Sequence, residues 1–305
     1  MRVNRGRILV IRGGAIGDFI LTLPALAALR AQFPETHVEV LGYPHIAELA
    51  RTAGLVDRVQ PIEARSLAGF FAAGGALDPA TADYFARFDI IVSYLFDPDE
   101  IFQTNVKQCS RAQFIVGPHR PNERETTHAT QVYLKPLERL AILDANPLPK
   151  IRLPPDPAAL TTIALHPGSG SEKKNWPESN WAELIERLVD DSDARILLVG
   201  GEAELERLDR LMTKLPPGRG ELLRSLPLPE LASHIARCRV FLGHDSGISH
   251  LAAAVGLRTL VLWGGTSEVI WRPLGDHVEV LRFSEGIARL SVGAVHERLL
   301  AMLAG

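Results

Sequence analysis

The sequence predicts an α/β protein built from two doubly wound domains that face a central cleft. Short apolar strands alternate with amphipathic helices from one end of the chain to the other. Near-continuous apolar strands separated by helices are typical of parallel sheets covered on both faces. A proline-dense stretch at 146–157 interrupts this alternation, and proline at such density favours an extended linker. We therefore expect a first domain over residues 1–150 and a second over residues 151–305.

The first half carries five strand patterns and two long helix patterns. The predicted strands are 8–11, 38–41, 58–61, 90–93 and 113–116, and the helices are 18–32 and 129–143. After the prolines the alternation restarts. There the predicted strands are 161–165, 195–199, 239–242 and 259–262, and the helices are 181–190, 203–214 and 230–237.

The bulk composition excludes several classes of protein. The net charge of −3 lacks the basic excess of a general nucleic-acid binder. The two cysteines, Cys109 and Cys238, are too far apart for a metal motif or a disulfide framework, which favours a reducing compartment. No stretch reaches the ~20 apolar residues of a membrane span. Residues 67–77 could touch a bilayer surface, but a buried helix is the favoured interpretation.

The loop after the first strand is rich in glycine but does not match a dinucleotide-binding pattern. Counted from Gly13, that pattern requires glycine where Ala15 and Asp18 stand. The carboxylate of Asp18 would repel a phosphate at the start of the first helix. It could instead accept a proton from a hydroxyl as a general base. A helix-terminal acid that stabilises the helix dipole is an equally good interpretation.

The strand ends of the second half carry glycine, hydroxyl and acidic residues. The loop at 166–177 combines small residues with lysines, which suits an anion, although a loop with solvated lysines is the alternative. The loop at 200–204 offers Glu202 and Glu204, which could hold sugar hydroxyls. Taken alone, these two acids are better explained as residues of a first helical turn.

The most informative segment is FLGHDSGISHL at 241–251. A strand there feeds a helix that starts at about Ile248, and free N–H groups at a helix start favour an anion such as a diphosphate. His250, one turn further on, is expected to pack inside the domain. With the loop at 263–267, four consecutive strand ends would line one edge of a sheet, where such folds bind ligands.

A basic cluster lies late in the first half. Glu123 and Glu125 interleave with it, so a solvated loop is the default interpretation; a cluster that faced the cleft would suit an anionic acceptor. Its members are Lys107, Arg111, His119, Arg120, Arg124 and His128.

Three motifs in this order resemble glycosyltransferase family 9, the bacterial ADP-heptose:lipopolysaccharide heptosyltransferases. They are GGAIGDFILTLPAL, HPGSGSEKKNWP and HDSGISHLAAA, and the resemblance runs from Ile8 to about Gly275. It implies a GT-B fold, with the acceptor on the first domain and the nucleotide sugar on the second. It also implies that the last helix, from about residue 285, packs back on the first domain.

The resemblance also implies roles for individual residues. Asp18 corresponds to the family's catalytic aspartate and Lys174 to its diphosphate-binding lysine. Glu204, with Glu202 as the alternative, corresponds to the acid that holds nucleoside hydroxyls. The remaining donor-binding candidates are Ser169, Asp245, Ser246, Gly247 and Thr266, and the acceptor-side candidates are Gly14, Gly17, Arg120 and Arg124.

The function expected from this resemblance is an inverting transfer of heptose from ADP-heptose to a lipopolysaccharide-core-like hydroxyl. No metal and no cofactor are expected, since lysine and a helix terminus would neutralise the leaving group; the partners are the donor and an anionic glycan or glycolipid, not nucleic acid. The alternatives are a GT-B transferase or epimerase that uses another nucleotide sugar, and an inactive nucleotide-sugar-binding protein. We expect a cytoplasmic monomer, with peripheral contact to the inner membrane left open. Residues 66–130 carry no matching motif, so the acceptor stays unidentified.

Overall fold

The computed structural model describes residues 6–153, 162–283 and 286–304, apart from the side chain of Lys173. It divides into two compact units, Met1–Pro149 and Lys150–Gly305. Part of the predicted linker, residues 154–161, lies outside the described residues. The β-sheet of each unit is parallel, as the apolar strand pattern predicts.

The first unit is built around a five-stranded sheet with the order β3-β2-β1-β4-β5. The central strand is buried on both faces, because Ile8 and Ile11 point to opposite sides and both are at most 1% exposed. All five predicted strands are confirmed. They are β1 (Arg7–Arg12), β2 (His37–Gly42), β3 (Arg58–Pro61), β4 (Ile90–Ser93) and β5 (Gln113–Val116).

Two predicted helices of the first unit are interrupted by proline. The helix predicted over 18–32 is divided into two, since Pro24 has no N–H for the carbonyl four residues earlier. The helix predicted over 129–143 changes to a 3-10 turn, Lys135–Leu140, which contains Pro136. The helices are α1 (Ile16–Ile20), α2 (Leu23–Gln32), α3 (Pro44–Thr52), α4 (Pro79–Phe85), α5 (Ile101–Cys109) and α6 (Ala129–Leu134).

The apolar segment predicted at 67–77 is a 3-10 helix over part of its length, Arg65–Phe71. Leu67 and Phe70 enter the core, where Phe70 meets Phe85 at 4.9 Å between ring centroids. Phe71 is 43% exposed. The favoured interpretation as a buried segment therefore holds for one face of this helix.

The second unit contains a six-stranded sheet with the order β11-β10-β9-β6-β7-β8. The four predicted strands are its central members. The two strands at the edges were not predicted, because their partly exposed faces break the apolar pattern. The strands are β6 (Thr162–His166), β7 (Arg195–Gly200), β8 (Gly220–Arg224), β9 (Val240–His244), β10 (Arg258–Trp263) and β11 (Val278–Arg282).

The helices of the second unit include all those that the sequence predicts. They are α7 (Glu178–Asp191), α8 (Leu205–Met212), α9 (Leu228–Ile235), α10 (Gly247–Ala254), α11 (Glu268–Trp271) and α12 (Val292–Ala304). The last helix, α12, packs on α7 and β9 of the second unit, where Val295 and Leu299 belong to the core. The expectation that residues after about 285 pack back on the first domain stays a prediction.

Four adjacent strands, β10, β9, β6 and β7, occupy the middle of this second sheet. They are parallel, so their carboxyl ends lie at the same edge. The four loops predicted to line this edge therefore follow neighbouring strands.

Candidate functional site

Three loops of the second unit meet at the carboxylate of Asp245. The Lys174 ammonium donates a hydrogen bond of 2.6 Å to Asp245 Oδ2, and the Thr266 hydroxyl donates another of 2.6 Å to the same oxygen. The Asp245 side chain is 9% exposed and that of Lys174 is 31% exposed. An ammonium has three N–H donors, and this contact uses one of them. Lys174 can thus hold Asp245 and still offer a donor to a second anion.

The helix start beside this carboxylate is α10. Ser246 caps it, because its hydroxyl accepts a 3.4 Å hydrogen bond from the N–H of Ser249. The first N–H groups of a helix have no partner within the helix, and its dipole favours negative charge there. The Lys174 ammonium and the start of α10 therefore lie at one location, next to Asp245 and Ser246.

The loop between β6 and α7 carries Lys174 on a short 3-10 turn, Glu172–Lys174. Within it, Ser169 Oγ lies 2.8 Å from the Ser171 carbonyl oxygen and 2.8 Å from Asn175 Oδ1. The hydroxyl thus stabilises its own loop. Its predicted contact with a diphosphate requires the exchange of one of these bonds.

The loop after β7 lies against the lysine-bearing loop. Glu204 Oε2 accepts a 2.9 Å hydrogen bond from the N–H of Gly201, and so caps its own helical turn. A Cβ atom on Gly168 would lie 2.3 Å from Glu204 Cγ, so a side chain there would displace the glutamate. Of the two acids considered, Glu204 is the one in contact with the lysine-bearing loop, whereas Glu202 is exposed.

Two buried histidines, His166 and His244, contact these loops, and no role was predicted for either from the sequence. His244 Nε2 accepts a 2.9 Å bond from the N–H of Trp176, and Nδ1 lies 3.2 Å from the Gly168 carbonyl oxygen. Burial lowers the pKa of His244 to about 4. Burial and the neighbouring His244 lower the pKa of His166 to about 3. The signal available in the sequence was a histidine at the end of each of two apolar strands.

In the first unit, Asp18 lies in the first turn of α1, where Oδ2 accepts a 3.2 Å hydrogen bond from the N–H of Ala15. Its side chain is 25% exposed. Arg12 donates a 3.1 Å bond to the Asp18 carbonyl oxygen, and its guanidinium lies 3.8 Å from Asp18 Oδ1. Asp18 therefore supports the helix start, and its carboxylate is also partly exposed to solvent.

Arg12 is a buried residue for which no role was predicted from the sequence. Its side chain is 2% exposed, and its guanidinium lies 4.5 Å from the ring centroid of Tyr133. It also donates a 2.8 Å bond to the carbonyl oxygen of His119. The available signal in the sequence was an arginine at the end of an apolar strand. Arg12 joins the turn that contains Asp18 to the loop that carries Arg120.

A pocket of about 380 Å³ opens beside Asp18. Gly14 adopts a φ of +99°, which favours glycine, and lies against the Asp18 side chain. Gly17 belongs to α1, and its carbonyl accepts the N–H of Leu21. The pocket is lined by Arg12, Gly13, Gly14, Asp18, Tyr43, Ile62, Glu63, Phe71, Tyr94, Leu95, Phe96, His119 and Arg120.

The basic cluster predicted for the acceptor side is only partly assembled at this pocket. Arg120 lines it and lies 3.6 Å from Glu123 in an exposed pair. Arg124 is on an exposed turn. Burial, Arg12 and Arg120 lower the pKa of His119, and Asp18 partly offsets this effect.

Within residues 6–153, 162–283 and 286–304, no group of three or more histidine, cysteine or acidic side chains could hold a metal ion. Among the helices of the same ranges, none has the length and apolarity needed to cross a membrane.

Comparison with known proteins decides the family. The profile described as glycosyltransferase family 9 (heptosyltransferase) matches residues 131–291, which are 161 of the 305 residues. The chain belongs to glycosyltransferase family 9. The resemblance found in the sequence motifs is thereby confirmed.

Named relatives of this family 9 chain include two lipopolysaccharide heptosyltransferases. Lipopolysaccharide heptosyltransferase 1 of Pseudomonas aeruginosa is 38% identical over 112 residues, a segment covering 37% of this chain and 31% of that protein. The alignment therefore spans about a third of that relative's length. Lipopolysaccharide heptosyltransferase 1 of Escherichia coli K12 is 26% identical, and the alignment covers 97% of this chain and 100% of that protein.

The solved structures confirm the fold of the family 9 chain. The structure of E. coli heptosyltransferase WaaC with ADP superposes with a TM-score of 0.76 at 21% identity. The superposition covers 97% of this chain and 99% of that one. The two parallel α/β units thus have the GT-B fold.

Proposed function

We propose that this family 9 chain transfers heptose from ADP-heptose to a hydroxyl of a lipopolysaccharide-core-like acceptor, with inversion and without a metal ion. The cluster of Lys174, Asp245 and Thr266 beside the start of α10 is the observation that carries this proposal. The names of the relatives support heptose as the sugar, and the ADP in the WaaC structure supports the nucleotide.

The second unit would bind the donor. The ammonium of Lys174 and the N–H groups at Ser246 and Gly247 would face the diphosphate, where negative charge grows as ADP departs. The carboxylate of Asp245 would repel a phosphate. Its role would therefore be to hold Lys174 and Thr266 in place. Glu204, or Glu202 next to it, would accept hydrogen bonds from the nucleoside hydroxyls.

The first unit would supply the base. Asp18 would take the proton of the acceptor hydroxyl, and the resulting oxygen would attack the anomeric carbon on the side opposite the diphosphate. A C–O bond to the acceptor forms as the C–O bond to the diphosphate breaks, so the configuration inverts and ADP leaves. Partial exposure of the carboxylate, at 25%, gives an acceptor access to it.

The pocket beside Asp18 would bind the acceptor. Arg120 at its rim supplies a positive charge for an anionic glycan, and Gly14 and Gly17 shape the backbone around the base. Arg124 would act at longer range from its exposed turn.

The test of this proposal is a transfer assay on Asp18→Asn. We expect kcat to fall by ~10²–10⁴ while the affinity for ADP stays unchanged, because the base contributes to the chemical step. Asp99→Asn, which alters an exposed carboxylate of the same unit, is the matched control and should keep full activity. Full activity in Asp18→Asn would refute the assignment of the base.

A further inference from the structure

A single buried imidazole at the end of β9 contacts the lysine-bearing loop at two points. His244 is 0% exposed. Its Nε2 accepts the N–H of Trp176 at 2.9 Å, and its Nδ1 lies 3.2 Å from the carbonyl oxygen of Gly168. These two partners are the first and last residues of the segment 168–176, which contains Lys174. We call this segment the lysine loop.

The chemistry of the two partners fixes the protonation of the ring. A carbonyl oxygen can only accept, so Nδ1 carries the proton; a backbone N–H can only donate, so Nε2 is bare. Both positions of the neutral ring are therefore used, and a second proton would remove the acceptor for Trp176. Burial lowers the pKa of His244 to about 4, although the hydrogen bond to the Gly168 carbonyl and the charges of Asp245 and Glu172 act in the opposite direction. Arg207 acts in the same direction as burial.

The surroundings of the ring hold it in this orientation. The ring of Trp181 meets the His244 imidazole edge-on, with centroids 5.4 Å apart, and Trp181 meets Trp176 at 5.5 Å. Rings packed at these distances restrict rotation of the imidazole. The indole N–H of Trp176 also donates to the Leu290 carbonyl oxygen at 2.9 Å, which ties the end of the loop to the domain.

We propose that His244 is a positioning residue for donor binding: its neutral imidazole fixes both ends of the lysine loop, so that Lys174 is held opposite Asp245. The next residue along the chain is Asp245 itself, which accepts the 2.6 Å bond from Lys174. The end of β9 thus anchors the lysine loop in two ways. His244 holds its backbone, and Asp245 holds the side chain of Lys174. This inference rests on the proposed function, since it takes the lysine loop as part of the donor site.

A second set of contacts to the loop is more exposed. Arg207 donates a 3.1 Å bond to the Pro167 carbonyl oxygen and lies 3.1 Å from Glu172, whose side chain is 81% exposed. Exposed ion pairs of this kind contribute little to the stability of a fold. Loss of the buried acceptor on His244 costs more free energy, because it leaves the Trp176 N–H buried without a hydrogen-bond partner. We therefore assign the shape of the loop mainly to His244.

Three substitutions separate the two bonds. His244→Val removes both of them. In His244→Asn the amide can still donate to the Gly168 carbonyl, but it is too short to reach Trp176. In His244→Gln the amide oxygen can reach the Trp176 N–H, and the bond to Gly168 is lost. Leu299→Ala is the control: it truncates a buried core side chain of α12 and leaves both bonds in place.

The readouts are ADP affinity by calorimetry and amide hydrogen exchange across the lysine loop of the full chain. Loss of a buried hydrogen bond predicts an ADP affinity about tenfold weaker in His244→Val. It also predicts faster exchange at 169–176. The Trp176 amide should exchange faster in His244→Asn than in His244→Gln. Leu299→Ala should lower the melting temperature but leave the ADP affinity and the loop exchange unchanged. If His244 only stabilised the fold, the His244 variants would behave like Leu299→Ala.

The outcomes separate this inference from the proposed function. If wild-type protein does not bind ADP, the proposed function fails, while exchange still reports whether His244 shapes the loop. If wild type binds ADP and Lys174→Ala weakens it, but the three His244 variants bind like wild type, the inference about His244 is wrong. Unchanged loop exchange in His244→Asn and His244→Gln would overturn it even if His244→Val did not fold.

Discussion

At the scale of single residues, the second unit depends on two histidines that are neutral when folded. Their unfolded pKa is 6.5, and burial lowers the folded values to about 4 for His244 and about 3 for His166. Between pH 6.5 and these lower values the unfolded chain binds more protons than the folded one, so acid favours unfolding. The stabilisation from the neutral rings is complete above pH 6.5 and is lost as the pH falls towards 4.

We expect the free energy of unfolding of the second unit to fall between pH 7 and pH 5, as measured by urea denaturation. The shift of His244 alone corresponds to roughly 3 kcal/mol once its titration is complete. His244→Asn should reduce this pH dependence. His234→Asn, at a half-exposed position on α9, is the control and should retain it. Equal pH dependence in wild type and His244→Asn would contradict the argument.

The positions of the charged candidate residues at strand ends were predictable from the sequence. The contacts of the buried polar side chains that support the loops were not. Asp18 follows Gly17, Asp245 precedes Ser246, and Lys174 follows a run of glycines and serines, so their positions after apolar strands could be predicted from the pattern. The contacts of Arg12 and His244 cross from one strand end to another loop far along the chain. Only the tertiary fold shows which backbone groups these side chains reach.

At the scale of elements, the loops after β6 and β7 are joined by the contact of Gly168 with Glu204. A Cβ on Gly168 would lie 2.3 Å from Glu204 Cγ and 2.6 Å from its Oε1. The glutamate would have to move, and that movement would break its 2.9 Å bond to the Gly201 N–H. The contact therefore couples the shape of the lysine-bearing loop to that of the loop proposed to bind the nucleoside.

Gly168→Ala should destabilise the second unit by about 1 kcal/mol, which lowers its melting temperature by about 2–4 °C. Scanning calorimetry measures this change. Gly170→Ala is the control, because a Cβ there meets no atom within 4 Å. In the double variant Gly168→Ala, Glu204→Ala the two losses should be less than additive. Additive losses would show that the two residues do not act on one another.

Several boundaries depend on details that a periodic pattern does not contain. Pro24 and Pro136 divide apolar stretches that look continuous, because the ring removes a helix donor without changing the apolar pattern. The edge strands β8 and β11 are partly exposed, so their sequences lack an apolar run. The central strands were predictable because burial on both faces requires apolar side chains at every position.

At the scale of the whole molecule, protein groups would supply the positive charge that stabilises the departing ADP. Lys174 and the start of α10 would supply what a divalent ion supplies elsewhere. Transfer activity should therefore persist after dialysis against EDTA and in its continued presence. Activity that is abolished by EDTA and restored by a divalent ion would contradict the metal-free mechanism.

The central claim is that the second unit binds the adenine nucleotide of the donor through Lys174, and calorimetric titration with ADP, UDP and GDP tests it most directly. We predict that ADP binds at least about tenfold more tightly than UDP or GDP. Lys174→Ala should weaken ADP binding by about ten- to a hundredfold, as expected for a hydrogen bond from a charged group. Lys214→Ala, which removes an exposed pair with Glu186 in the same unit, should have no effect. Tighter binding of UDP or GDP would favour a transferase or epimerase with another donor, and unchanged ADP affinity in Lys174→Ala would contradict the account.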